Sequence, residues 1–359
     1  MSLQIGARAP LLYVPALNTA HFALGSLGGR YVVLAFLPPP GPERDAALAM
    51  VREHASQFED LSRVFFGVLP DAASFQDAVE DLPLRWFDDS SRQMARGFHA
   101  LDATGALVPQ WVILDPTLRV LAQAPLAEGG PLLAALAARG RPEDHAGVPV
   151  HAPVLVVPRV LEPALCRQLI DIYRADGGRE SGVMMQRDGG TVPVLNDFKK
   201  RRDANIDDPA LRQILRDRMA VRLLPEIRKV FQHTATRVER YIVACYEASE
   251  GGYFRAHRDD TTTGTAHRRF AVSVNLNAEE FEGGDLRFPE FGPATYRPPT
   301  GGAVVFSCAL LHEATPVTRG VRYAFLPFLY DEAAEQIRLA NLQAAGARRA
   351  AETEASARP

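Results

Sequence analysis

Tyr253-Phe254-Arg255-Ala256-His257-Arg258-Asp259 and, well downstream, Phe306-Ser307-Cys308-Ala309-Leu310-Leu311-His312-Glu313-Ala314 are the stretches that decide the fold of this chain. His257 and Asp259 are two residues apart. On a strand, side chains i and i+2 leave the same face, so an imidazole and a carboxylate converge here on one point. His312 is expected to join them from a distant strand of a folded-over sheet. Two imidazoles and a carboxylate on one side of a metal leave its other positions open, as at non-haem ferrous sites that take O2 and an organic cosubstrate. Zinc hydrolases use a similar set, so ligand type alone does not choose the metal. Asp260 is expected on the opposite face and His267 in a polar turn, so neither is a candidate.

Arg322 separates the two metals. It opens the apolar run Arg322-Tyr323-Ala324-Phe325-Leu326-Pro327-Phe328-Leu329. A guanidinium aimed into a barrel needs an anion, because burying it alone is costly. A carboxylate held by paired hydrogen bonds is the natural partner. 2-Oxoglutarate would chelate iron at one end and give its far carboxylate to Arg322. Arg319 precedes Gly320 in a turn and reads as a surface charge.

Around these residues the pattern predicts short strands at Glu239–Tyr246, Phe270–Leu276, Asp285–Phe288, Ala294–Tyr296, Ala303–Phe306 and Arg322–Tyr330, split by Gly- and Pro-rich turns. That spacing suits a double-sheet jelly roll. A strand at Pro153–Val160 and an amphipathic helix at Glu162–Ala175 precede it. Asp176–Pro209 is polar and Gly-rich, and reads as a loop or as a lid over a substrate. Its Lys199, Lys200, Arg201 and Arg202 could meet an acidic substrate, though a short basic run is usually surface. Ala210–His233 predicts a long helix, kinked at Pro225. Phe254 and Phe306 read most simply as core.

From about Pro153 to Asp331 the chain resembles the 2-oxoglutarate- and Fe(II)-dependent dioxygenases of the prolyl 4-hydroxylase-like group. The resemblance rests on His-x-Asp, the distal His, the Arg within "HEATPVTRGVR", and the "FEGGDLRF" and "ACY" stretches. It implies a double-stranded β-helix (jelly roll) with supporting helices, with iron on His257, Asp259 and His312. It implies 2-oxoglutarate on Arg322, with Tyr246 assisting. Ser273 and Asn275 fall on the strand where relatives carry another polar residue, often Tyr. The implied cofactors are Fe(II), 2-oxoglutarate and O2, with L-ascorbate (vitamin C) keeping the iron reduced. The implied reaction releases succinate and CO2 and hydroxylates a protein or peptide side chain, an amino acid or another small molecule. The carboxylate at Asp259 argues against halogenation, since halogenating members leave that position to chloride.

The first half reads differently. Tyr31–Leu37 is an apolar run suited to a buried parallel strand. Glu43–Phe58 has helical spacing, Val64–Leu69 is a second strand, and Ala73–Val79 a short helix. Trp111–Leu114 and Arg119–Ala122 form a hairpin, and Gly130–Arg139 a closing helix. A βαβ start with a hairpin finish predicts a three-layer α/β domain. From Gly6 to Arg139 it resembles the thioredoxin-like fold of the peroxiredoxins, through "GARAP", "GGRYVVLAFLPPP", "LRWFDDSSRQMARGFHA" and "WVILDPTLRVLA". Counting from Pro38, that family's peroxidatic Cys would fall at Asp45, and the Thr before it at Pro42. No Cys precedes Cys166, so this half is expected to be redox-silent.

The expected organisation is therefore a two-domain α/β plus mainly β chain. Residues 1–140 are thioredoxin-like, 141–152 a linker, 153–331 the iron-binding domain, and 332–359 a helix and frayed tail. A length of 359 residues suits two domains, and 47% apolar residues suit packed cores. A net charge of −3 implies no nucleic-acid or membrane partner. Three scattered Cys fit a reducing compartment, so a cytoplasmic location is expected. A fold kept without its nucleophile suggests that the N-terminal half either forms a homodimer or presents substrate. Three alternatives stand beside the main reading: a metal-binding pseudoenzyme that recruits partners, an iron dioxygenase without 2-oxoglutarate, and a peroxidase, disfavoured by the missing thiol.

Overall fold

The computed structural model describes residues 3–58, 62–76, 78, 83–187 and 190–356. The chain divides into two units. One comprises Met1–Ala152 with Phe288–Ala294, the other Pro153–Arg287 with Thr295–Pro359.

In the first unit β1 (Tyr13–Ala16) and β2 (Thr19–Ala23) form a hairpin. They are followed by β3 (Tyr31–Phe36), α1 (Pro42–Glu53), β4 (Arg63–Leu69), α2 (Ala72–Gln76), β5 (Trp86–Asp88), α3 (Gln93–Gly97), β6 (Gln110–Leu114), β7 (Val120–Pro125) and α4 (Gly129–Ala137). The sheet order is β2-β1-β5-β4-β3-β6-β7. β3, β4 and β5 run parallel, and β6 and β7 close the sheet antiparallel. Every residue of β3 is buried because both faces are covered. Val32, Leu34 and Phe36 pack with Met94 and Phe98 at α3. Val33 and Ala35 pack with Leu48 and Val51 of α1 and Leu133 of α4. This is the βαβ start and hairpin finish that the pattern predicts. The expected end of α2 runs onto Asp77 and Val79, which lie outside the described residues.

Pro42 opens α1 at a position that needs no N–H donor. Asp45 lies exposed in its first turn. All three thiols of the chain belong to the other unit and are buried. Burial first of all raises Cys166 to about 11 and Cys245 to about 12, and holds Cys308 well above its usual value. Thiolates are the reactive form. We therefore expect no fast phase when the native protein meets a disulfide thiol reagent at neutral pH, and no thiol-dependent peroxide consumption above background.

The second unit opens with β8 (Leu155–Val157), α5 (Pro163–Asp176), β9 (Arg179–Glu180), β10 (Val183–Arg187), β11 (Gly190–Val194), β12 (Lys199–Lys200), β13 (Arg202–Asn205), α6 (Pro209–Arg222) and α7 (Leu224–Phe231). The barrel strands are β14 (Arg237–Glu239), β15 (Ile242–Glu247), β16 (Tyr253–His257), β17 (Phe270–Asn275), β18 (Glu282–Gly283), β19 (Leu286–Arg287), β20 (Thr295–Tyr296), β21 (Ala303–Ser307), β22 (His312–Ala314), β23 (Val317–Arg319), β24 (Val321–Phe325) and β25 (Phe328–Tyr330), followed by α8 (Glu332–Ser356). The larger sheet runs β14-β25-β17-β24-β15-β13-β9, with β21 between β17 and β8. The smaller runs β12-β16-β22-β19-β20. Strand alternation divides their residues. Val243, Cys245, Val272, Val274, Tyr323 and Phe325 pack on α5, α6 and α7, whereas Ala244, Tyr246 and Ala324 join Ala314 of the smaller sheet inside the barrel.

Four expectations change. Asp176–Pro209 is not a loop, because β13 joins the larger sheet beside β15 and β12 the smaller beside β16. Hydropathy missed them because Lys199 and Arg201 are buried charges. The helix after Pro209 is two helices. Pro225, which has no N–H to donate, stands in the first turn of α7 instead of kinking one rod. The strand expected from Arg322 to Tyr330 is broken at Leu326-Pro327 into β24 and β25. The expected frayed tail is helical to Ser356. Among the described residues no helix is long and apolar enough to cross a membrane.

Gly301 shows why the strand-entry turn needs glycine. Its φ is +79°, and a Cβ there would run into the Leu161 carbonyl. Its own carbonyl accepts the N–H groups of Val160 and Leu161 at 2.7 and 2.9 Å.

Candidate metal centre

His257 ends β16 and His312 begins β22. The two are direct cross-strand partners, with ring centroids 4.3 Å apart. Asp259 lies beyond the end of β16, so strand alternation is not what turns it inward. The chain bends there, and the Asp259 N–H donates to the Cys308 carbonyl at 2.9 Å, which ties the bend to the turn before His312. Its carboxylate oxygens lie 3.5 Å from His257 Nε2 and 3.4 Å from His312 Nε2. All three candidate ligand atoms fall within 4.8 Å of one another.

Both rings are oriented for ligation. His257 Nδ1 faces the Arg255 carbonyl at 2.7 Å and His312 Nδ1 the Leu310 carbonyl at 3.1 Å. A proton held on Nδ1 by a carbonyl leaves the Nε2 lone pair free for a metal. Burial, then the neighbouring His257, pushes His312 down to about 4. Burial alone would raise Asp259, but the two imidazoles outweigh it and hold the carboxyl well below the usual range. Neutral imidazole and ionised carboxylate are the forms a metal binds. Phe254 stacks on His257 at 3.5 Å, and Phe306 lies 4.5 Å from His312. These two rings wall the site as well as filling core.

The cavity beside the triad, about 480 Å³ with its mouth, lies within the barrel. Arg322 is 2% exposed and forms part of its wall. Tyr246 is its cross-strand neighbour, with the guanidinium 5.1 Å from that ring, and Nη2 donates to Ser273 Oγ at 2.9 Å. Its Nε and Nη1 are enclosed and have no partner. Burial lowers its pKa from the ordinary arginine value, with Tyr246 and Asp285 opposing. Of the residues expected around the cosubstrate, Tyr246 and Ser273 line the cavity and Asn275 does not. Its amide donates to the Pro298 carbonyl at 2.8 Å, a structural use that leaves it away from the site.

Two further arginines line the cavity, Arg240, which the sequence did not single out, and Arg201, which it offered only as one of a basic run that is usually surface. Arg201 bonds Asp203 at 2.6 Å and reaches the Tyr246 hydroxyl at 3.4 Å. The alternation of Lys199, Arg201 and Asp203 was the available signal. His267 is buried but is no ligand, since it meets Glu239 at 2.8 Å. Arg319, as expected, is exposed and pairs with Glu282.

Glu239 also takes two bonds from Arg268, at 3.0 and 2.6 Å, and Arg268 Nη1 reaches the Asp259 carbonyl at 3.4 Å. Burial would raise the Glu239 pKa, but bonds from His267 and Arg268 hold it down at about 2. A depressed carboxyl stabilises the fold above its unfolded value of about 4.5, and that contribution is lost as pH falls towards 2. We expect Glu239→Gln to cost roughly 2–3 kcal/mol at neutral pH, by leaving a buried cation unpaired. Urea unfolding across that pH window should show a shallower acid loss in the variant than in the parent.

Residues 241–330 match the family model of the 2OG-Fe(II) oxygenase superfamily. A PKHD-type hydroxylase of a Synechococcus strain is 29% identical over 93 residues, 24% of this chain and 41% of the relative. A PKHD-type hydroxylase of Cupriavidus metallidurans is 26% identical over 184 residues, 48% of this chain and 75% of the relative. The solved structure of a Xylella fastidiosa PrxQ mutant is 17% identical, covers 38% of this chain and 96% of that one, and has a TM-score of 0.33. The chain thus spans about 41% of the length of the first curated relatives it matches.

Proposed function

We propose that the second unit is an Fe(II)- and 2-oxoglutarate-dependent dioxygenase that hydroxylates a C–H bond of its substrate. The observation that carries this is one cavity holding both two imidazoles with a carboxylate and a buried guanidinium with two unsatisfied nitrogens. Zinc-assisted hydrolysis requires only the first feature, whereas a chelating keto-diacid cosubstrate calls for both. The donor set fits ferrous iron, and Arg322 fits the far carboxylate of 2-oxoglutarate. Iron with O2 and 2-oxoglutarate supplies the oxidising power. One oxygen atom leaves in succinate beside CO2, and the other enters the substrate as hydroxyl.

The chain's own residues position these groups. His257 and His312 present Nε2, and Asp259 supplies the negative charge. Arg322, steadied by Ser273 and Tyr246, orients the cosubstrate, while Phe254 and Phe306 limit water. L-Ascorbate would serve only to keep the iron ferrous. The test is succinate formation by the full chain with ferrous iron, O2 and 2-oxoglutarate. Turnover that stops when a chelator is added and returns with iron supports the reading. Absence of succinate under every iron-loaded condition refutes it in favour of a pseudoenzyme. A homodimer through residues 1–140 belongs to the same reading and is tested by the mass of the chain in solution.

A further inference from the structure

Arg240 is a cavity-lining cation that the proposed chemistry does not use. Three observations single it out. Its backbone sits at φ +68°, in the left-handed region that a long L side chain rarely adopts. Such strain persists where the surrounding structure enforces it, and it clusters at ligand sites. Its guanidinium donates through Nε and Nη2 to a single acceptor, the Leu326 carbonyl, at 3.2 and 3.1 Å, and lies 4.4 Å from the Phe328 ring. Among the described residues no carboxylate lies within ion-pair distance of it, and its Nη1 makes no hydrogen bond.

Apart from Arg240, the charged side chains that line the cavity are balanced; the buried Lys199 ammonium is outside the lining, and burial lowers it to about 6. A ferrous ion, Asp259, dianionic 2-oxoglutarate and Arg322 sum to zero, as do Arg201 with Asp203 and Arg268 with Glu239. The positive charge of Arg240 is left over. Burial first, and then the neighbouring Arg201, pushes its pKa down to about 10, with the more distant Asp203 and Asp259 opposing. A ring face attracts the guanidinium but does not neutralise it.

We propose that Arg240 receives a carboxylate of the molecule to be oxidised, so that the substrate is a small organic acid carrying one net negative charge. The inference rests on the dioxygenase reading and names its substrate class. A single monoanion restores neutrality in the loaded cavity. An internal peptide segment carries no backbone carboxylate to do so. A guanidinium holds a carboxylate by paired bonds and therefore fixes orientation as well as charge. Arg240 is then a binding and specificity residue, and Arg322 remains the anchor of the cosubstrate.

The test uses the full chain loaded with Ni(II), a redox-silent stand-in for iron. Adding 2-oxoglutarate should raise the melting temperature of the wild type. Failure of this first arm sinks the dioxygenase reading itself. With 2-oxoglutarate bound, acetate, butyrate, benzoate, N-acetylglycine, N-acetyl-L-leucine and N-acetyl-L-proline are each titrated beside the corresponding carboxamide. At least one acid should bind about tenfold or more tighter than its amide. Arg240→Gln should erase that preference, and Arg240→Lys should keep part of it. The substrate proposal is overturned if no acid outperforms its amide on the wild type, or if Arg240→Gln retains the preference. A peptide with neutral ends that stabilises as well as the best acid also overturns it. The wild-type comparison decides the matter even if a variant fails to fold.

Discussion

Asp259→Ala is expected to abolish metal-dependent stabilisation and to lower succinate formation by about a thousandfold or more. Outer groups that merely orient metal ligands already cost ~10–100-fold when removed, and Asp259 is itself a candidate ligand. It is also the one negative charge in a donor set of two imidazoles. Its backbone bond to Cys308 needs no side chain, so the bend that carries it should survive the change. The clean measurement is thermal. In the parent, metal at ~100-fold over its dissociation constant should add roughly 2.7 kcal/mol, which for a unit of this size is several degrees. The variant should show none of that rise. A variant that still gains the full shift would mean the ion sits elsewhere.

Arg322→Ala is expected to raise the KM for 2-oxoglutarate by at least about a hundredfold. Removing one member of a buried, hydrogen-bonded charge pair typically costs 2–5 kcal/mol, and each 1.4 kcal/mol is roughly tenfold. Arg322 meets the conditions for the upper part of that range, being 2% exposed and having two donor nitrogens with no partner until an anion arrives. Arg322→Lys should recover part of the loss, because an ammonium keeps the charge but not the planar fork. Iron affinity should hold in both variants, since the guanidinium touches none of the triad. Unchanged turnover in Arg322→Ala would point instead to an iron dioxygenase that ignores 2-oxoglutarate.

The readable parts of the chain were those in which local pattern and burial agree. β15 and β17 are runs whose alternate residues face helices and barrel interior, and both were placed within a few residues. His257, His312 and Arg322 were legible because a buried ionisable residue needs a reason to be there, and their order supplied one. Asp259 was identified for a reason the structure does not support, since a tertiary bond, not strand alternation, turns it inward. Arg240 was hidden because its burial depends on partners distant in sequence, such as the Leu326 carbonyl, and Arg201 because a run of basic residues reads as surface. Asn275 shares a strand face with Ser273, yet spends its amide on the Pro298 carbonyl, which no spacing rule reveals. The hairpin of β10 and β11 also lay inside a stretch too polar to signal strands.

The register that sets His257 opposite His312 has a mechanical side. An ion gripping both rings would rivet two neighbouring ribbons of the smaller sheet, so that sliding either by one residue would tear a ligand away. Loading should therefore slow deuterium uptake at the amides of β16 and β22, while those of β3 and β4 go on exchanging at their former pace.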